Sequence, residues 1–103
     1  MVGQMHALKN AGKDAFFQME FEKAVDLFTK AIAFKPNDTN LYGLRCAAYN
    51  KLQKYQLALR DVDKMIELRP YNHKTYLLKG NCHFFLGEYE EAVEAYEAVS
   101  EIC

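Results

Sequence analysis

The sequence predicts an all-α protein built as a stack of three helical hairpins, and three observations carry that prediction. The stretch from Lys79 to Val99 contains Gly80, Gly87, Ala92 and Tyr96. It recurs 34 residues upstream as Cys46, Gln53, Ala58 and Val62, and 34 further upstream as Gly12, Met19, Ala24 and Phe28. Self-similarity at that period is the mark of stacked helix–turn–helix units. Phe21, Tyr55 and Tyr89 fall on the same register, as do Pro36 and Pro70. Apolar residues recur at helical spacing throughout, and no segment shows the two-residue alternation of a strand.

The first helix is expected over Met5 to Phe17, with Leu8, Ala11, Ala15 and Phe16 on one stripe and Gly12 beside them. After a break at Gln18-Met19-Glu20, the second runs from Phe21 to Phe34, burying Ala24, Val25, Leu27, Phe28, Ala31 and Ile32. Pro36 ends it, because the residue before a proline is pushed out of helical geometry. Asn37-Asp38-Thr39 then offers side-chain oxygens to the first free amides of the next helix.

The second unit repeats the plan, with a helix over Leu41 to Asn50, a turn at Leu52-Gln53-Lys54, and a helix from Tyr55 to Leu68 closed by Pro70. Asn72 caps a fifth helix from His73 to Phe85, and after Leu86-Gly87-Glu88 a sixth starts at Tyr89. The small residues at 12, 24, 46, 58, 80 and 92 let paired helices approach closely. One hairpin cannot offset its own ordering entropy, whereas three stacked hairpins share a continuous core. Ala24, Ala58 and Ala92 are expected to be fully buried.

With 103 residues, half of them hydrophobic and a quarter charged, the chain reads as one ordinary globular domain. No apolar run approaches the roughly 20 residues that span a bilayer, and Met1-Val2-Gly3-Gln4 does not open a signal peptide. Three cysteines without metal or redox spacing fit a reducing compartment, so the expected location is the cytoplasm or nucleus. All 13 Lys and Arg lie in residues 1–79, which carry +5, while residues 80–103 hold six glutamates and no base. Such lopsidedness bears on association rather than on fold.

These residues resemble the tetratricopeptide repeat, over nearly the whole chain. The family's pattern of bulky, small, aromatic and proline positions is met in a first copy (5–38) by Leu8, Gly12, Phe21, Ala24, Phe28, Ala31 and Pro36. A second copy (39–72) meets it with Tyr42, Tyr49, Tyr55, Ala58 and Pro70, Cys46 standing in for the small residue. The third (73–103) meets it with Tyr76, Gly80, Gly87, Tyr89, Ala92 and Tyr96. The resemblance implies a right-handed α-solenoid of six helices, here without a separate capping helix. Met19 and Gln53 depart from it, occupying the turn slot that Gly87 fills in the third copy; a left-handed residue there would be strained.

The resemblance also implies an adaptor function, in which the first helix of each hairpin lines a concave groove that takes a peptide of a partner protein. Candidate peptide-binding residues are then Lys9, Lys13, Phe17, Leu44, Lys51, Lys74, Leu77, Leu78, Asn81 and Phe84. One branch of the family, the co-chaperones, grips the terminal carboxylate of chaperone tails with lysines, asparagines and an arginine or lysine, since charge-assisted bonds to a carboxylate are strong. Lys9 and Lys74 match that clamp, whereas Lys13, Leu44 and Leu78 replace its two asparagines and its guanidinium. A co-chaperone domain is therefore the alternative, and a self-assembling structural module a further one.

Other chemistry finds little support. His6, His73 and His83 are too scattered for a metal motif, no Cys-x-x-Cys exists, and no phosphate loop or catalytic triad is visible. No cofactor, catalytic residue, nucleic-acid partner or membrane partner is expected. Cys46 and Cys82 read as small core residues and Cys103 as an exposed thiol. Asp61, Asp63, Glu90 and Glu91 read as solvated helix charges. On the sixth helix, Val93, Ala95, Val99 or Ile102 is expected to stay partly exposed or to meet another copy.

Overall fold

The computed structural model describes residues 2–102, and these form six α-helices and no strand. They are α1 (Val2–Phe17), α2 (Phe21–Phe34), α3 (Thr39–Lys51), α4 (Tyr55–Leu68), α5 (His73–Phe85) and α6 (Tyr89–Ile102). Helices pair as α1 with α2, α3 with α4 and α5 with α6; α2 then packs on α3, α4 packs on α5, and α1 touches α3. The stack is elongated, 40 × 25 × 17 Å. Cys103 lies outside the described residues.

Local chemistry accounts for the helix ends. α3 begins at Thr39, two residues earlier than expected, because Asp38 caps it: its Oδ1 accepts the Asn40 amide at 3.0 Å. Asn72 caps α5 in the same way, accepting the Lys74 amide at 3.1 Å. Each proline loop is held by a tyrosine from the following helix. The Tyr42 hydroxyl donates to the Pro36 carbonyl at 2.7 Å, and 34 residues on Tyr76 donates to Pro70 at 2.8 Å.

All three turns inside hairpins are the same motif. The amides of Glu20, Lys54 and Glu88 donate to the carbonyls of Ala15, Tyr49 and His83 at 2.8 to 2.9 Å. Those of Met19, Gln53 and Gly87 donate to Phe16, Asn50 and Phe84 at 3.0 Å. This paired pattern needs a left-handed residue after the helix end. Met19, Gln53 and Gly87 adopt it, with φ of 64°, 59° and 78°.

The core consists of three clusters, each bridging two neighbouring hairpins. Ala24 and Ala58 are completely buried and Ala92 nearly so. Within each hairpin a small residue on the first helix faces a large one on the second. A Cβ on Gly12 would sit 2.5 Å from the Phe28 ring, and one on Gly80 would likewise strike the ring of Tyr96. The middle hairpin evens out the sizes, with Cys46 and Val62 buried in one cluster at the same register. Met5, absent from the sequence-derived stripe, is buried with Ala31 and Leu41.

Two sequence-based expectations are corrected here. Asp61 is not a solvated charge: it is 2% exposed, in a bidentate pair with Arg45 from the neighbouring helix. Ala95 is buried too, because its side of α6 is the one turned to α5, whereas Val93 is 55% exposed and Val99 and Ile102 are half-buried.

Candidate functional site

The wall formed by α1 and α3 carries an apolar cavity of about 280 Å³, lined by Lys13, Phe16, Phe17, Phe28, Leu44 and Ala47. Its floor depends on Gly12. Without a side chain at that position, the Phe28 ring of α2 advances against α1 and closes the bottom of the cavity. The walls come from the last turn of α1, where Phe16 meets Phe17 edge-on at 6.3 Å and Phe21 at 5.2 Å. Leu44 and Ala47 supply the opposite side from α3. Phe17, ending α1, is 81% exposed. Lys13 is the only charged residue among those six, so the cavity can take an apolar side chain with a negative group beside it.

Of the sequence-derived candidates, Lys13, Phe17 and Leu44 meet at this cavity, while the other seven lie outside its lining. Lys9 is half-buried on α1, and Lys51 and Lys74 are exposed. Leu77 is exposed, but Leu78 packs against the core cluster of Cys46, Val62 and Cys82, which commits it to hairpin packing. Asn81 accepts the Tyr96 hydroxyl at 2.7 Å. Phe84 is exposed, edge-on to Phe85 and Tyr89, both at 5.6 Å. Phe28 was legible only as a core residue; the signal for its second role is the glycine opposite it.

Deeper in the same wall, Asn50 is tied to both buried thiols. Its Nδ2 donates to Cys46 Sγ at 3.8 Å, and its Oδ1 accepts from the Cys82 thiol at 3.5 Å. Contact with Cys82, reinforced by burial, pushes the Cys46 thiol well above its ordinary value. Cys46 is also completely buried, out of reach of a reagent in solution.

A second cavity, of about 360 Å³, opens where Tyr42, Arg45 and Tyr49 of α3 face Leu57, Arg60, Asp61 and Lys64 of α4. Here Arg45 is fully engaged. Its Nε and Nη2 donate to Asp61 at 3.0 and 2.5 Å, its Nη1 donates to Thr29 of α2 at 3.1 Å, and its guanidinium lies 5.7 Å from the Tyr42 ring centre. Hydrogen bonding to Asp61 holds the Arg45 pKa above its usual value, while burial raises that of Asp61 against the pull of Arg45. The pair ties α3 to α4 within the second hairpin, and the bond to Thr29 ties α3 back to α2 of the first. Among the described residues no group of three or more His, Cys, Asp or Glu could hold a metal ion, and no helix is long and apolar enough to cross a membrane.

With this geometry in hand, comparison with known proteins places the chain among repeat proteins. A family model described as tetratricopeptide repeat matches residues 73–103. The Hsp70-Hsp90 organizing protein of Triticum aestivum is 38% identical over 90 residues, which are 87% of this chain and 16% of that protein. The SGT1 homolog of Oryza sativa subsp. japonica is 42% identical over 90 residues, 87% of this chain and 24% of that protein. The chain thus spans a quarter or less of the length of these two relatives. Among solved structures, the first TPR of Spaghetti (RPAP3), bound to the HSP90 peptide SRMEEVD, superposes with a TM-score of 0.88 at 31% identity, covering 97% of this chain and 79% of that one.

Proposed function

The chain belongs to the tetratricopeptide repeat family, and from that premise we propose that it is an adaptor module whose concave wall binds an extended peptide of a partner protein. The observation that carries the reading is the apolar cavity built jointly by the first two hairpins, with Lys13 at its rim. A large apolar side chain of the peptide fills the cavity. Its acidic side chains or terminal carboxylate face Lys9, Lys13, Lys51 and Lys74, and Leu77, Asn81 and Phe84 extend the wall. Burying one large apolar side chain contributes roughly 1.5–3 kcal/mol, against about 0.2–1 kcal/mol for each exposed charge contact. The apolar anchor therefore dominates affinity and the lysines tune it.

A second reading, a co-chaperone domain that takes a chaperone tail, is favoured by the RPAP3 relative solved with SRMEEVD. Against a full clamp stand Lys13, Leu44 and Leu78 at its polar positions, Leu78 being committed to the core. We read residues 1–103 as one domain of three repeats (5–38, 39–72 and 73–103), a binding module rather than an enzyme. Its two buried free cysteines, Cys46 and Cys82, support work in the reducing cytoplasm.

Calorimetric titration tests the proposal, with SRMEEVD and an analogue carrying Phe in place of Met as probes. The analogue is expected to bind more tightly. Filling the cavity with Ala47→Phe should weaken both by about tenfold or more, the loss of one good apolar contact. Lys9→Ala/Lys74→Ala should weaken them by roughly tenfold or less, in a salt-dependent way. Binding abolished by the lysine pair and indifferent to Ala47→Phe would favour the charge clamp instead. Binding untouched by either variant would remove the groove from the function.

A further inference from the structure

A third cavity, of about 530 Å³ and larger than the other two, opens at the edge of the stack where the loops between hairpins run. Its lining includes Lys35, Asn37, Asp38 and Asn40 from the passage between α2 and α3, and Arg69 and Asn72 from the loop between α4 and α5. Asp38 is the only carboxylate among the lining residues, and its Oδ1 already accepts the Asn40 backbone amide at 3.0 Å. Lys35 and Arg69 stand at matching positions at the ends of α2 and α4. Both are exposed, and neither forms an ion pair among the described residues. Asn72 engages the Lys74 amide through its Oδ1 at 3.1 Å, which leaves its Nδ2 to donate elsewhere. Two cations and several amide donors around one occupied carboxylate make a positive, N–H-rich cavity, the chemistry that holds a carboxylate.

The place of this cavity relative to the apolar one decides which ligand can reach both. Asn40, Leu44 and Ala47 are spaced i, i+4 and i+7 on α3, so they share one face of that helix. Asn40 lines the polar cavity, whereas Leu44 and Ala47 line the apolar one. Seven residues of helix rise about 10 Å, which is the reach of about three residues of extended chain. A peptide lying along that face with a large apolar side chain in the apolar cavity therefore brings the residue three positions away to the polar one.

Building on the groove reading above, we propose that the Lys35–Arg69–Asn72 cavity is an anion subsite for the same peptide, and that it takes the side-chain carboxylate of an Asp or Glu three residues from the apolar anchor. The partner segment is then defined by the spacing of one large apolar and one acidic residue, and it needs no chain end. This subsite is separate from the lysines of the wall. Lys9 and Lys13 lie on α1, Lys51 ends α3 and Lys74 belongs to the first turn of α5, and none of the four lines the cavity.

The test is calorimetric titration with seven-residue peptides, blocked at both ends, that carry one Phe and one Glu three apart in a Gly/Ser background. Both orders of the two residues are made, together with the same peptides bearing Gln in place of Glu. In the better-bound order the Glu peptide is expected to bind about threefold or more tightly than its Gln counterpart. Lys35→Ala/Arg69→Ala should remove that advantage and leave the affinity of the Gln peptide unchanged, which an unfolded variant could not do. Lys35→Arg/Arg69→Lys should keep it, and placing Glu directly beside Phe should lose it. A Glu advantage that survives Lys35→Ala/Arg69→Ala, or one equally large with Glu beside Phe, would give the acid to the wall lysines and overturn the subsite while the groove reading stands. Binding of every peptide indifferent to Ala47→Phe would instead remove the groove, and the subsite with it. So would the absence of measurable binding by the Glu peptides.

Discussion

Replacing Gln53 by glycine should make this protein more stable, although glycine normally weakens ordered structure. Gln53 holds φ of 59° in the turn between α3 and α4, a left-handed conformation that costs an L-residue roughly 1–2 kcal/mol. Glycine removes that strain but loses more entropy on folding, which returns about 0.4–1 kcal/mol. The side chain of Gln53 is exposed, so little packing is lost with it. The net expectation is a gain of roughly 0.5–1 kcal/mol, or several degrees in Tm for a domain of this size.

The other two turns supply internal controls, because all three share one hydrogen-bond pattern. Met19, at φ of 64° and 74% exposed, should behave like Gln53, with a slightly smaller gain for the buried quarter of its side chain. Gly87 already has the favoured residue, and a Cβ there would meet nothing within 4 Å. Gly87→Ala therefore isolates backbone strain and should cost about 1 kcal/mol. Urea denaturation followed by circular dichroism, with the slope checked for constancy, reads all three. A Gln53→Gly variant less stable than wild type, alongside a neutral Gly87→Ala, would refute the strain argument.

Asp61→Ala should destabilise by about 3 kcal/mol or more, since it leaves the largely buried Arg45 charge without its partner. Adding Arg45→Met should recover a good part of that loss, and chemical denaturation of the single and double variants checks both statements. In the middle hairpin, Val62→Phe should overpack against Cys46 and cost roughly 1–3 kcal/mol. Combined with Cys46→Gly, which copies the Gly12–Phe28 pairing, it should cost less than the two single changes together, a coupling that a double-mutant cycle measures.

The sequence by itself determined the helices, their order and most of their ends, the starts of α1 and α3 excepted. Pro36 and Pro70 close α2 and α4, and Asp38 and Asn72 cap α3 and α5, because capping and proline sterics act within a few residues of where they are written. The 34-residue register then placed Ala24, Ala58 and Ala92 at helix crossings, and even the positive φ of Met19 and Gln53 could be read by analogy with Gly87. What needed the tertiary structure is whatever depends on residues from different helices. Asp61 has the pattern of a surface charge on its own helix; it is buried because Arg45, 16 residues earlier, reaches it while also holding Thr29 of α2. Ala95 and Val93 are close in sequence, yet α5 covers one while the other is 55% exposed among the described residues. The groove divides in the same way. Leu44 and Leu78 occupy matching positions, but Leu44 borders a cavity because Gly12 lets Phe28 come forward beneath it, whereas Leu78 closes over Cys46 and Val62. Periodicity assigns a residue to a face; the volumes of the side chains opposite decide whether that face opens or fills.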